Sequence, residues 1–112
     1  MVEAQGGLYI LYFRKMPFFV YAGQTLNYHR RKFEHKMALI RRSHENRNLR
    51  YLCERYGIED FQFFRIDPIA TSSSEYLMRR EKQLIGNLQN SGFVILNKGY
   101  YESSKMLMMK EN

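Results

Sequence analysis

Apolar residues along this chain fall into short blocks separated by polar turns, and the spacing inside the blocks changes along the sequence. Leu8 to Phe13 is apolar and β-forming throughout, which predicts a well-buried strand. Arg14 to Pro17 predicts a turn, and Phe18 to Tyr21 a second strand stopped by Gly23. So short a connection predicts an antiparallel hairpin. From Asn27, a good N-cap type, the spacing becomes helical. Phe33, Met37 and Ile40, extended by His44, form the expected core stripe of a helix fraying near Ser43. Asn46 or Asn48 caps a second helix through Leu49, Leu52 and Cys53, which Gly57 closes. Phe61 to Ile66 reads as a third strand, ended by Asp67 and Pro68. Ser72 and Glu75 have the form of a capping box opening a helix to about Asn87 or Leu88. Phe93 to Leu96 is a short apolar segment expected to dock back on the core. The tail from Glu102 to Asn112 reads as a short helix or a frayed end. The order β-β-α-α-β-α predicts an α/β domain, a small three-stranded antiparallel sheet flanked by helices.

The chain has 112 residues, which predicts one domain over 1–112, with a core at about 7–97 and a tail at 98–112. No run approaches the ~18 apolar residues that would span a bilayer, so no membrane partner is expected. The first residues lack the charge and apolar pattern of a signal peptide. The single cysteine, Cys53, excludes an intrachain disulfide and a Cys-rich zinc site. It is expected to face the core and to be inert. These features together predict a cytoplasmic, reducing setting.

Charge changes the picture. The chain carries 18 Lys and Arg against 11 Asp and Glu, a net +7, and such a domain attracts polyanions. The excess is concentrated between Asn27 and Arg55. Arg30, Lys32, Lys36, Arg41, Arg42, His44 and Arg47 are therefore candidate nucleic-acid contacts. Glu81 breaks the pattern differently. It shares a stripe with Leu77, Leu84, Ile85 and Leu88, so a carboxylate sits among core-facing residues. An unpaired buried carboxylate is costly, so an Arg or Lys, a hydroxyl or a bound cation should satisfy it. Arg31 and His35 are four apart and project together, on a face expected to point away from Phe33 and Met37 and off the core. Tyr9 and Tyr21 lie one on each arm of the hairpin.

Taken in order, these residues resemble the GIY-YIG nuclease family. Gly7-Leu8-Tyr9 is similar to the first half of its motif and Val20-Tyr21-Ala22-Gly23 to the second. The stretch from Asn27 to His35 resembles the block carrying the family's active-site Arg and His. His44 to Gly57 and Asp60 to Phe63 resemble the blocks that follow. Arg80 to Ile85 resembles the helix with the metal-binding Glu, and Leu96-Asn97 the late Tyr-Asn pair. The likeness runs from Gly7 to Asn97. It implies a metal-dependent DNA endonuclease with Tyr9, Tyr21, Arg31, His35, Glu81 and Asn97 as catalytic residues. Glu81 would hold one Mg²⁺, with Mn²⁺ as a substitute, and Arg31 would bind the scissile phosphate. Which of Tyr9, Tyr21 and His35 is the general base stays open at this level. Leu8, Ala22, Lys32 and Leu96 depart from the family's usual residues but remove no catalytic group.

DNA is the expected partner. Members of the family serve in homing, restriction and repair, and the resemblance does not choose among these roles. Cutting both strands with one centre needs a homodimer or two successive nicks, and target choice would come from a partner that supplies DNA specificity. The competing expectation is a basic nucleic-acid-binding domain without activity.

Overall fold

In a computed structural model, residues 4–100 are described; the tail expectation for Glu102 to Asn112 lies outside the described residues. The elements are β1 (Gly7–Phe13), β2 (Phe19–Thr25), α1 (Tyr28–Ile40), α2 (Arg47–Tyr56), a 3-10 turn (Ile58–Asp60), β3 (Phe61–Pro68), α3 (Ser74–Asn90) and β4 (Val94–Ile95). Among the described residues no helix is long and apolar enough to cross a membrane.

The sheet has four strands in the order β3-β1-β2-β4. β1 pairs antiparallel with β2 and with β3, while β4 runs parallel to β2. The expectation of three antiparallel strands is therefore corrected. The segment after α3 contributes only two residues to the ladder, too few for an alternation to register in sequence. Crossing back through α3 brings it alongside β2 in the parallel sense.

β1 is central and covered on both faces, which explains its unbroken apolar run. Tyr9, Leu11 and Phe13 point to one side, where they pack with Tyr28 and Leu39 of α1 and Leu49 and Leu52 of α2. Ile10 points to the other, with Val20, Ala22, Ile95 and Ile85 of α3. Glycine opens this strand because Gly7 has φ 145°, a region where side chains are strained. A Cβ there would also run into the Asp67 carbonyl and the Tyr28 hydroxyl.

Capping sets the helix boundaries. The Asn27 side chain accepts from the Arg30 N–H at 3.0 Å, and that of Asn46 from the Leu49 N–H at 3.0 Å. Gly57, at φ 91°, ends α2 as expected. α3 starts one residue later than the capping-box reading. Ser73, not Ser72, accepts from the Tyr76 N–H, and the helix continues to Asn90.

The face of α1 is the main correction. Phe33 is 62% exposed and Ile40 49%, whereas Tyr28, His35 and Leu39 are buried. Arg31 and His35 thus lie on the sheet-facing side instead of off the core. His44 is not on α1 at all: the helix stops at Ile40, and Arg42 at φ 59° turns the chain back. The apolar spacing of Phe33, Met37 and Ile40 is real, but the inward face is shared with polar groups that find partners there.

Leu52 is fully buried among Leu49, Phe13 and Phe61. Leu52→Ala is expected to lower stability by about 2–5 kcal/mol, read from urea unfolding, because the cavity under α2 cannot close fully.

Candidate active site

Four structural elements bring the chemistry-bearing residues together. In the β1–β2 ladder Tyr9 lies opposite Gly23 and Leu11 opposite Tyr21, so the two tyrosines are diagonal neighbours on the α1 side. The Tyr9 ring stacks on Phe63 with centroids 4.6 Å apart. It also extends over Gly23, where a Cβ would meet its Cζ and hydroxyl. Glycine at this position makes the tyrosine's placement possible.

A chain of hydrogen bonds runs inward from the Tyr9 hydroxyl. It reaches His35 Nε2 at 2.8 Å, and His35 Nδ1 reaches His44 Nε2 at 2.8 Å. The backbone N–H of Asn46 donates to His44 Nδ1 at 3.0 Å. That last contact orders the rest. An amide N–H can only donate, so His44 Nδ1 is bare and neutral His44 carries its proton on Nε2. Nε2–H then donates to His35 Nδ1, which leaves the His35 proton on Nε2, donated to the Tyr9 oxygen. The Tyr9 O–H proton is therefore not used on His35.

Electrostatics agree with two neutral imidazoles. Burial, then Arg31 and His44, hold the His35 pKa down to about 3. Burial and Arg31 also lower that of His44. Burial pushes the Tyr9 phenol above its usual value and Tyr21 raises it further, while the Arg31 guanidinium pulls it back. Tyr21 is likewise raised by burial, with Arg31 opposing. Glu81 lies close enough to raise both phenols. Tyr9 and Tyr21 thus feel Arg31 and Glu81 with opposite signs.

Glu81 is half-buried on α3, and burial lifts its carboxyl above the usual range, partly offset by Lys82. Among the described residues no donor hydrogen-bonds this carboxylate and no cation forms an ion pair with it. Its neighbour Arg80 binds Asp67 of β3 instead, fixing this turn of α3 to the sheet. Arg31 forms an ion pair with Glu34 at 3.1 Å. Asn97 touches backbone: its side chain accepts from the Ala22 N–H at 2.9 Å and donates to the Ala22 carbonyl at 2.7 Å. It clamps the chain after β4 to the residue beside Tyr21.

No family model and no curated protein matches the sequence. Solved structures match in fold. The catalytic domain of the homing endonuclease I-TevI aligns with a TM-score of 0.68 at 18% identity, covering 88% of this chain and 99% of that one. A variant of the catalytic domain of the intron endonuclease I-TevI gives 0.66 at 19% identity, covering 75% and 84%. This chain has the fold of a GIY-YIG nuclease.

Within this GIY-YIG fold the structure groups Tyr9, Tyr21, Arg31 and His35, Glu81 reaches this group through its effect on the two phenols, and the Asn97 side chain is bonded to the β2 backbone one step back. His44 is corrected. As a surface contact for nucleic acid it would need to be open, yet it is 7% exposed and spent on His35 and Asn46. Arg30, Lys32, Lys36, Arg41, Arg42 and Arg47 are exposed, as their proposed role requires. Three contributors escaped the sequence reading. Asn46 is legible as a helix cap, but its amide's hold on His44 is not. Gly23 reads as a strand stop and proves to be the space for Tyr9. Phe63 reads only as a strand residue. Cys53 is half-buried against the core, and burial raises its thiol.

His35 gives this cluster a pH signature. Unfolded, the imidazole takes its proton near 6.5; folded, only near 3. Between these values the unfolded chain binds the extra proton. His35 therefore contributes stability in full above about 6.5 and loses it as pH falls, by about 1.4 kcal/mol per unit. His35→Gln is expected to flatten the fall in unfolding free energy between neutral and acid pH. An unchanged slope would show that His35 does not supply it.

Proposed function

We propose that this chain is a divalent-metal-dependent DNA endonuclease that hydrolyses phosphodiester bonds. The observation that carries this reading is a half-buried carboxylate, Glu81, without a hydrogen-bond or ion-pair partner among the described residues and near enough to two tyrosines to raise both phenols. The likeness in fold to an endonuclease catalytic domain supports it, and so do the net charge of +7 and the exposed cations of α1 and its flanks.

The residues fit a magnesium-type ion. Mg²⁺ at phosphate sites takes one or two carboxylates and completes its shell with waters and phosphate oxygens. Glu81 would be the protein's ligand. When bound, the ion supplies positive charge that polarises a phosphate oxygen and steadies the departing 3′-oxygen.

The remaining chemistry belongs to the side chains. Arg31 presents a planar fork that can donate twice to the scissile phosphate, and its link to Glu34 holds it in place. Tyr9, once its own proton has passed to solvent, is the group suited to take the proton of the attacking water. His35 is not, because its Nε2 already carries a proton and its Nδ1 is filled by His44. Instead the His35 Nε2–H, 2.8 Å from the Tyr9 oxygen, stabilises its ionised form. Burial keeps the Tyr9 phenol protonated at neutral pH, so phosphate-side cations must help it ionise. Tyr21 packs edge-on against His35 with ring centroids 5.5 Å apart, and Asn97 holds the backbone beside it.

Supercoiled plasmid incubated with the protein and Mg²⁺ or Mn²⁺ should be nicked, and EDTA should stop the reaction. Glu81→Ala should lower the rate by at least about a hundredfold, the scale of losing one transition-state electrostatic contact, while salt-sensitive DNA binding remains. Cleavage that persists in folded Glu81→Ala overturns the assignment of that residue. Binding without cleavage by wild type would mark the chain as a nucleic-acid-binding domain.

Gly23→Ala provides an independent check on Tyr9. The added methyl must displace the phenol, so the nicking rate is expected to fall by about a hundredfold, as for a misplacement of ~1 Å. Circular dichroism should show the fold retained; full activity in this variant would mean that the Tyr9 hydroxyl need not lie where it does.

A further inference from the structure

Beside the tyrosines, and continuous with them through Arg31 and His35, lies an open groove of about 550 Å³. α1 contributes Glu34 and Ala38 to its walls, the turn after α1 contributes Ser43 and Glu45, and the chain just beyond β4 contributes Lys98. The hydrolytic chemistry uses none of these except Glu34, which holds Arg31. The volume falls within the range of about 300–1,000 Å³ that takes a small ligand. A single nucleotide is of that class and a duplex is far too wide.

The lining sorts the parts of a nucleotide. Arg31 and Lys98 attract phosphate. Glu34 and Glu45 repel it, but carboxylates accept hydrogen bonds from the exocyclic amino groups of bases. Ala38 offers an apolar wall. The Ser43 hydroxyl, held among the described residues by a 3.5 Å contact to the Ala38 carbonyl, can turn toward a ligand.

We propose that this groove receives the nucleotide next to the scissile phosphate, turned out of its stack. The base lies against Ala38 and the carboxylates, and the flanking phosphate lies by Lys98. The inference rests on the nuclease reading and narrows its substrate to phosphodiesters beside an unpaired nucleotide. A base that is already unpaired avoids the penalty of leaving the helix, which a paired base must bear.

The test uses duplex oligonucleotides containing a plasmid-mapped cleavage site, either fully paired or with a bulged nucleotide beside the cut bond. Wild type should cut the bulged substrate at least about tenfold faster, and a bulged adenine or cytosine faster than a bulged uracil, which has no amino group. Ala38→Trp and Ser43→Trp fill the groove from two different elements. In each variant that melts like wild type, the bulged-to-paired rate ratio should fall toward one. Equal cutting of bulged and paired duplexes by wild type, or an unchanged ratio in the folded variants, overturns the proposal. Plasmid nicking that persists in that case leaves the nuclease reading standing, whereas absence of all metal-dependent nicking removes both.

Discussion

The hydrogen bond from the Asn46 amide to His44 Nδ1 is the contact on which the site depends. A main-chain N–H cannot reverse its polarity, so it sets the proton positions on His44, on His35 and finally at the Tyr9 oxygen. In a buried setting each of these polar groups would be costly without its partner, and the linked bonds strengthen one another. The same chain joins the turn before α2 to α1 and α1 to β1, so the tautomers and the docking of α1 are one structural decision.

β1 supplies the other half of the arrangement. Being covered on both faces, it gives alternate residues to two packing layers, and Tyr9 sits deep in the layer shared with α1 and α2. The ring needs Phe63 beneath it and empty space across the ladder at Gly23. α3 packs on the opposite layer, yet Glu81 lies near enough to influence both tyrosines. Arg80 and Asp67 tie that part of α3 to β3, and Asn97 fixes the chain beyond β4 to β2. The candidate centre thus draws on both layers, from residues that are far apart in sequence.

Burial acts on these groups in a consistent direction. It keeps His35 and His44 neutral, holds the Tyr9 and Tyr21 protons on, and raises the Glu81 carboxyl. At Glu81 and Tyr9 this disfavours the negative charge that the proposed reaction needs. A bound cation, with the Arg31 guanidinium that already pulls Tyr9 down, is the partner that would reverse that preference, which ties the chemistry to the presence of the metal.

Much of this was readable in one dimension because local rules decide it. Asn27, Asn46 and Gly57 mark helix ends through their own backbone and side-chain bonds, and the run Leu8 to Phe13 announces a strand with no solvent face. Glu81 stood out because a carboxylate on an apolar stripe violates a local pattern. The motif order from Gly7 to Asn97 carried the family resemblance, and the fold agrees with it. Only tertiary structure decided which face of α1 turns inward. Phe33, Met37 and Ile40 form a genuine apolar stripe, but hydrophobic spacing cannot register a buried face built from Tyr28 and His35, whose polar atoms find their partners on β1 and in the turn before α2. β4 needed β2 beside it to become a strand, and His44 needed the Asn46 amide to become part of the centre. Sequence determined the elements and the chemical groups they carry; three-dimensional packing determined which polar groups satisfy one another, because those partnerships join residues with no local relation.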